Sequence, residues 1–600
     1  MKPYHRHFLS QIAILLFAAR AVSVAEHTPS IQGTPVFSAT KISDFRLDGQ
    51  PPKAEFSSVA VEGQAFDWAI RVHVAARTPN AWDVQLLTPP ATVPLKKGDH
   101  LLAIVNVRCV DAADGFGRFS GCIQDSLPPW TGIGSNDAIV GKEWKRFYVH
   151  GKAAKDFAPG RYELTVHLGA QAQTLEFGGI TMLDLGQNVD ETKLPFTPIT
   201  YPGEEPDAPW RKAAAERIDK YRKADLVVRV VDRGGKPVPG AKVHIQMLRH
   251  AYGFGTFLEY GVITGSGSDT DKLRAWTLKL FNRCTTPIYW ADWGWANPAI
   301  RQRYLECAKW AADNRLTTRG HCIIYPGWKF LPGFVKPLAK DPATLRNCLL
   351  DHVVDVTEAT KQFNFREYDV TNELRNLTEI TGLLGKDAVV DWFRTARQHA
   401  SIGTRMAINE NTILTHGGMT GPEQDNYAGW IQYLIDHGQG PDVIGMQGHF
   451  GEAVTAPETV VRILDRFAKF GKPIQITEFD LPTNDEQGQA RYTRDFLTAV
   501  FSDPATEAFT MWGFWEGSMW QPPAAMIRKD WTLKPNCKAW MDLVLKQWWT
   551  DANVVTGPEG SCGTRGFLGD YKITATVDGK EKSTVIALAK PGTSAVLVIN

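Results

Sequence analysis

Six hundred residues exceed what a single hydrophobic core organises, so several domains are expected. Lys and Arg total 66 against 65 for Asp and Glu, which excludes the basic footprint of a nucleic-acid binder and any lopsided steering field. Apolar residues at 43% and charged residues at 22% exclude a largely disordered chain, and 20 tryptophans supply both core bulk and flat faces for ligand stacking.

Residues 1–25 read as a secretory signal. Lys2 and Arg6 precede the apolar run FLSQIAILLFAA (8–19), and SVA (23–25) places small residues at the cleavage positions. That run is too short to span a bilayer, and no later stretch reaches about 18 uninterrupted apolar residues. The mature chain is expected to be secreted, extracellular or periplasmic, with no membrane span.

Residues 31–186 carry short alternating runs, FDWAIRVHVAA (66–76), HLLAIVNVRCV (100–110) and RYELTVHLGA (161–170), separated by Gly, Pro and Asp. This spacing predicts an antiparallel β-sandwich. Cys109 and Cys122 flank a Gly-rich loop and are the first candidate disulfide, with two free thiols as the equal alternative. GFGRFSG (115–121) reads as a loop within the sandwich, not as a phosphate cradle. Residues 187–224 are expected to be a Pro-rich stiff linker, LPFTPITYPGEEPDAPWR (194–211), followed by a helix over 213–224. Residues 225–251 then read as a β-hairpin lead-in turning at GGKPVPG.

From residue 252 to 548 strand and helix alternate. Eight strand candidates begin at YGFGTFLE (252–259) and end at AFTMWGFWEG (508–517), with amphipathic helices at 299–314, 343–361, 387–401 and 456–470 between them. Eight βα units in this length predict a (β/α)8 TIM barrel within an α/β chain. Residues 551–600 return to strand patterning and predict a small C-terminal β extension.

The functional face of such a barrel is the C-terminal rim of its strands. The fourth strand, FREYDVTNE (365–373), ends in Asn372 and Glu373, and the seventh, PIQITEFD (473–480), carries Glu478 and Asp480. Gln447 and His449 lie on the sixth strand, His321 on the third and Trp512 on the eighth. No Cys/His cluster has metal-ligand spacing and no dinucleotide fingerprint follows the first strand, so no metal and no cofactor are expected. Two carboxylates with aromatic platforms and no metal suit glycoside hydrolysis, in which one carboxyl donates a proton to the leaving oxygen and the other attacks the anomeric carbon.

YDVTNE (368–373), ITEFD (476–480), GMQGHF (445–450), RGHCIIY (319–325), WGFWEGSMW (512–520) and RKDWTLKPNCKAWMDLV (528–544) together resemble glycoside hydrolase family 10, the endo-1,4-β-xylanases. The resemblance implies Glu373 as acid/base and Glu478 as nucleophile, a retaining mechanism, and carboxylates roughly 5–5.5 Å apart. It further implies that His449 orients Glu478 with Asp480 behind it. Asn372, Gln447 and His321 would hold the sugar, and Trp512 and Trp520 would wall it. Tyr325 stands where the family usually has Trp. The loop TTPIYWADWGWANP (285–298) departs from the family, which usually places a Glu-Asn pair and a Lys there; Trp290, Trp293 and Trp295 are the candidates to replace that polar grip.

In the sandwich, EWKRFYVHGKA (143–153) and AQTLEFGGITMLDLG (172–186) resemble carbohydrate-binding modules of the family 4 and 22 type, with Trp68, Trp82 and Trp130 as candidate cleft residues. The expected partner is a polysaccharide, xylan or a related β-1,4-glycan, and neither nucleic acid nor membrane. Two other readings stay open: a relative acting on another β-1,4-glycan, and a non-catalytic glycan-binding protein on a degenerate barrel.

Overall fold

The computed structural model describes residues 31–49 and 53–599. The expected signal at 1–25 lies outside the described residues.

The N-terminal region is a sandwich of two antiparallel sheets. One sheet orders Ala54–Ala60, Trp68–Val74, Gln173–Gly186, His100–Ala112 and Lys145–Lys152, with the short strand Thr34–Pro35 added on Gln173–Gly186. The other orders Arg46–Asp48, Gln85–Leu87, Tyr162–His167, Gly117–Asp125 and Gly132–Val140. Alternation does the sorting: Ile70, Val72 and Val74 enter the core, while Arg71 and His73 face out. Trp68 packs at that core, edge-on to Phe45, so it is not a surface platform. The candidate disulfide does not form. Cys109 points into the core from one sheet, Cys122 faces away from it on the other, and all eight cysteines are free thiols.

The expected spacer at 194–211 is pinned to both neighbours instead. Thr197 Oγ1 accepts from Tyr148 N at 2.9 Å in the sandwich. Asp485 accepts from Ile199 N at 2.9 Å, and Asp495 from the Tyr201 hydroxyl at 2.8 Å, in the barrel region. The helix Pro209–Arg222 then packs along the helix Glu486–Ser502, with Arg211 paired to Asp495 at 2.7 Å.

The expected hairpin at 225–251 is also revised. Lys223–Val231 and Lys242–His250 do not pair with each other. The first lies between Ser561–Phe567 and Gly592–Val598, parallel to the latter; the second lies between Asp551–Val555 and Gly569–Val577. Leu226, Val228 and Val230 thus face Val243, Ile245 and Met247 across a buried layer, which side-by-side pairing would not close. The C-terminal strands therefore complete a small sandwich with the segment before the barrel.

Eight parallel strands close the barrel: β1 (Gly253–Phe257), β2 (Arg283–Pro287), β3 (Thr317–His321), β4 (Glu367–Asn372), β5 (Arg405–Glu410), β6 (Val443–His449), β7 (Ile474–Asp480) and β8 (Thr506–Met511). Helices begin where capping chemistry dictates. Asn297 accepts from the N–H groups of Ala299 and Ile300 ahead of Pro298–Asp313, and Asp341 caps Pro342–Thr360 in the same way. The outward side chains of β4, Tyr368 and Val370, meet apolar helices, whereas Glu367 and Asp369 point into the barrel.

There they join an ionic cluster in place of the branched aliphatic layers usual for this fold. Arg319 Nη1 bonds Glu367 at 2.9 Å, and Arg319 Nε bonds Asp369 at 2.9 Å. Arg283 pairs with Glu367, and Arg405 bonds both Glu367 (2.5 Å) and Glu507 (2.6 Å). Gln475 bridges the set by accepting from Arg283 and Arg319, at 2.8 Å each, and donating to Glu367 at 3.0 Å. Three guanidiniums face three carboxylates, so no net charge is buried.

Candidate active site

Glu478, on β7, is 3% exposed and is held on both carboxylate oxygens. Asn409 Nδ2, from β5, donates to Oε1 at 2.6 Å, and His449 Nε2, from β6, lies 3.0 Å from Oε2. His449 Nδ1 is 2.9 Å from Asp480 Oδ2, which also accepts from Trp520 Nε1 at 2.8 Å. Burial alone would lower the His449 pKa, but Asp480 and then Glu478 overrule it and raise it to about 10. The imidazolium therefore keeps a proton on each nitrogen at neutral pH, one for each carboxylate.

Glu373, immediately after β4, is half-buried and differently served. Gln447 Nε2, from β6, donates to its Oε1 at 3.1 Å, and the Tyr325 hydroxyl also bonds to it. No cation pairs with Glu373 among the described residues. Its backbone is left-handed at φ 53°, uncommon for a residue other than glycine. The surroundings fix that turn: Glu373 N donates to Asn409 O at 3.0 Å, and Arg375 N donates to Glu410 at 3.2 Å.

Asn372 Oδ1 joins the two carboxylate environments, accepting from Asn409 Nδ2 at 2.9 Å and from Gln447 Nε2 at 3.2 Å. The same two amides thus bind Glu478 and Glu373 respectively. Below, His321 Nδ1 lies 2.8 Å from Asp369 and 3.8 Å from Glu478 Oε1, which connects the site to the ionic cluster. Trp512 is nearly buried with its ring 5.1 Å from His321, whereas Trp520 is 57% exposed and stands 5.2 Å from His449. Tyr325 stacks on Phe330 with centroids 3.6 Å apart. Every residue predicted for the site, Asp480 included, lies on this one rim.

The loop after β2 is the exception. Trp290 turns inward to stack on His352 at 3.9 Å, and Trp295 is buried with its indole N–H on Asp355 at 2.7 Å. Only Trp293 of the three is exposed. Tyr289 instead approaches the site, edge-on to His321 at 5.2 Å and packed on Trp293 at 5.4 Å.

Four contributors were not anticipated. Asn409 and Glu410 end β5 with the same Asn-Glu dipeptide that ends β4, a readable signal. Asp369 gave none, because an acid in mid-strand looks like a solvent-facing residue. Glu410 is 1% exposed, and its pKa is pushed up to about 7 by burial, with Glu373 adding to it against two backbone N–H donors. Glu259, just beyond β1, is raised to about 7 by burial alone.

Residues 302–539 match the sequence profile of "Glycosyl hydrolase family 10", a match that begins just after the atypical loop. An anti-sigma-I factor, RsgI6, of Acetivibrio thermocellus is 30% identical over 384 residues, covering 62% of this chain and 47% of the relative. Endo-1,4-beta-xylanase 1 of Arabidopsis thaliana is 26% identical over 381 residues, 62% of this chain and 38% of the relative. The chain thus spans half or less of the length of these relatives. Among solved structures, xylanase 10B of Thermotoga petrophila in complex with xylobiose matches at TM-score 0.43 and 22% identity, covering 50% of this chain and 95% of that one.

Proposed function

We propose that the protein, whose residues 302–539 match the profile of glycosyl hydrolase family 10, is a retaining endo-β-1,4-glycanase, an endo-1,4-β-xylanase by substrate. The single observation behind this reading is the unequal wiring of two neighbouring carboxylates. Glu478 has a charged donor and an amide, one on each oxygen, which suits an ionised nucleophile. Glu373 has only neutral donors, which suits a group that gives up a proton and takes one back.

In the first step Glu478 attacks the anomeric carbon while Glu373 protonates the departing glycosidic oxygen. In the second, Glu373 draws a proton from water, and that water displaces Glu478 from the same carbon. His449 aims Glu478 for its attack and receives the carboxylate again when water releases it. Asn372 and His321 face the sugar at the cleavage point, between Trp512 and Trp520. The names of the plant relatives support xylan as the polymer. The loop after β2, with Tyr289 and Trp293 in place of the family's acidic, amide and lysine side chains, favours a second reading, another β-1,4-glycan. The sandwich serves carbohydrate binding in this proposal, and residues 1–25 direct export.

The test is release of reducing ends from soluble xylans, glucans and mannans. Glu478→Ala abolishes turnover while the polymer still binds. Glu373→Ala lowers the rate on xylan by about 10²–10⁴-fold, the usual contribution of general acid–base catalysis, yet recovers on aryl glycosides whose leaving group needs no proton. Wild-type rates in both variants would overturn the assignment.

A further inference from the structure

Two cavities adjoin between the sandwich and the barrel loop that follows Glu373. The first, about 330 Å³, is closed from above by the sandwich, through Arg77, Arg118 and Asp137, and from below by the barrel loops after β4 and β5, through Arg375, Thr412 and His416. Arg375 lines it two residues beyond Glu373. The second, about 580 Å³, runs along the five-stranded sheet and shares Trp82 and His167 with the first. Its aromatic members, Trp82 and Trp130, are each 57% exposed, and Gln85 and Gln124 line it with them, above the buried Glu163 that pairs with Arg46 at 3.1 Å.

The two halves of this path are held in register. Arg77 Nη2 donates to Met419 O at 3.2 Å, Asn136 Nδ2 to Glu452 at 2.8 Å, and His416 lies 3.4 Å from Asp137. At Gly417 a side-chain carbon would fall 2.9 Å from Arg118 Nε and 3.2 Å from Ile139 Cδ1, so the loop backbone packs directly on sandwich side chains. Within the cavity, Arg77 and Arg375 bond to a carbonyl and an amide oxygen and pair with no carboxylate among the described residues, leaving N–H groups for hydroxyl oxygens.

We propose that the interdomain cavity joins the barrel cleft to the tryptophan face of the sandwich. The sandwich then supplies distal sugar sites of one composite cleft and is not a separate tether. This rests on the assignment of Glu373 as the acid, which places the path on the leaving-group side. The ligand class is a linear, unbranched run of β-linked pyranoses: aromatic faces and hydrogen-bonding groups line the path together, and the joint is walled on two sides.

The full chain decides it, with Trp82→Ala on the sandwich face and Ala170→Trp, which fills the joint and leaves both ends intact. Hydrolysis of an aryl β-xylobioside is expected to stay at the wild-type rate. The kcat/KM for the longest soluble linear xylo-oligosaccharides is expected to fall about tenfold in both variants, the effect of losing one well-packed contact. Wild-type values on every soluble chain, with a loss confined to insoluble polymer, would reduce the sandwich to a tether and overturn the proposal. Calorimetric titration of Glu478→Ala with the same oligosaccharides separates this from the catalytic reading. One long chain per protein, bound more weakly after Ala170→Trp, supports the composite cleft even if the aryl substrate is not cleaved; two equivalents of long chain, or none, overturns it.

Discussion

His449 ties the chemistry of Glu478 to pH. Its folded pKa of about 10, against an ordinary 6.5, means that the folded protein holds this proton more tightly than the unfolded chain does. The stabilisation it brings is complete below about pH 6.5 and is lost as the pH climbs through about 10. The melting temperatures of wild type and His449→Gln should therefore differ most near pH 6 and converge above about pH 10, where turnover should also fail. A gap that ignores pH would mean that His449 is neutral. Most of this site was legible beforehand, because strand-end Asn, Gln, His and Glu side chains reveal the rim once strands are assigned. Asp369 was not: it reaches His321 from inside the barrel, past an irregularity in the register between Asp369 and Thr371 that no sequence pattern encodes.

Strand β4 has both faces buried, which a run reading EYDVTN does not suggest. The barrel interior resolves this with charge balance. Burial would raise the Glu367 carboxyl, but Arg283, Arg319 and Arg405 hold it far below its ordinary 4.5. Glu367→Gln leaves those guanidiniums short of a carboxylate, and removing one partner of a buried ionic set typically destabilises by about 3–5 kcal/mol. The sign with pH is opposite to that of His449: the Glu367 contribution is present above about pH 4.5 and is lost as the pH falls through the folded value. Urea midpoints of the two proteins should therefore draw together in acid. The alternation of strands and helices made all eight barrel strands readable, whereas the lead-in strands were misread. A Gly-Pro turn specifies a reversal, and here it does so locally through Val238 N to Val230 O at 3.0 Å. Partners more than 300 residues away decide the sheets.

Across the molecule, Gly417 joins two constraints, a left-handed φ of 62° and the close approach to Arg118. Gly417→Val adds backbone strain of about 1–3 kcal/mol and forces the surfaces apart. A single wild-type transition is expected from the interdomain contacts, and calorimetry of the variant should resolve separate sandwich and barrel transitions, with cleavage of small aryl substrates unchanged; a single unshifted transition would mean that the docking is loose already. Proline richness at 194–211 predicts a spacer because it reports stiffness and says nothing of what the stiff piece leans on. The sheet beneath the barrel has a consequence in time. Lys223–Val231 leaves the ribosome some 300 residues before either of its neighbours, Ser561–Phe567 and Gly592–Val598. During synthesis this strand waits with both edges bare, in need of shielding from its own kind. The clasp beneath the eight-stranded ring shuts only when the last of these residues emerges.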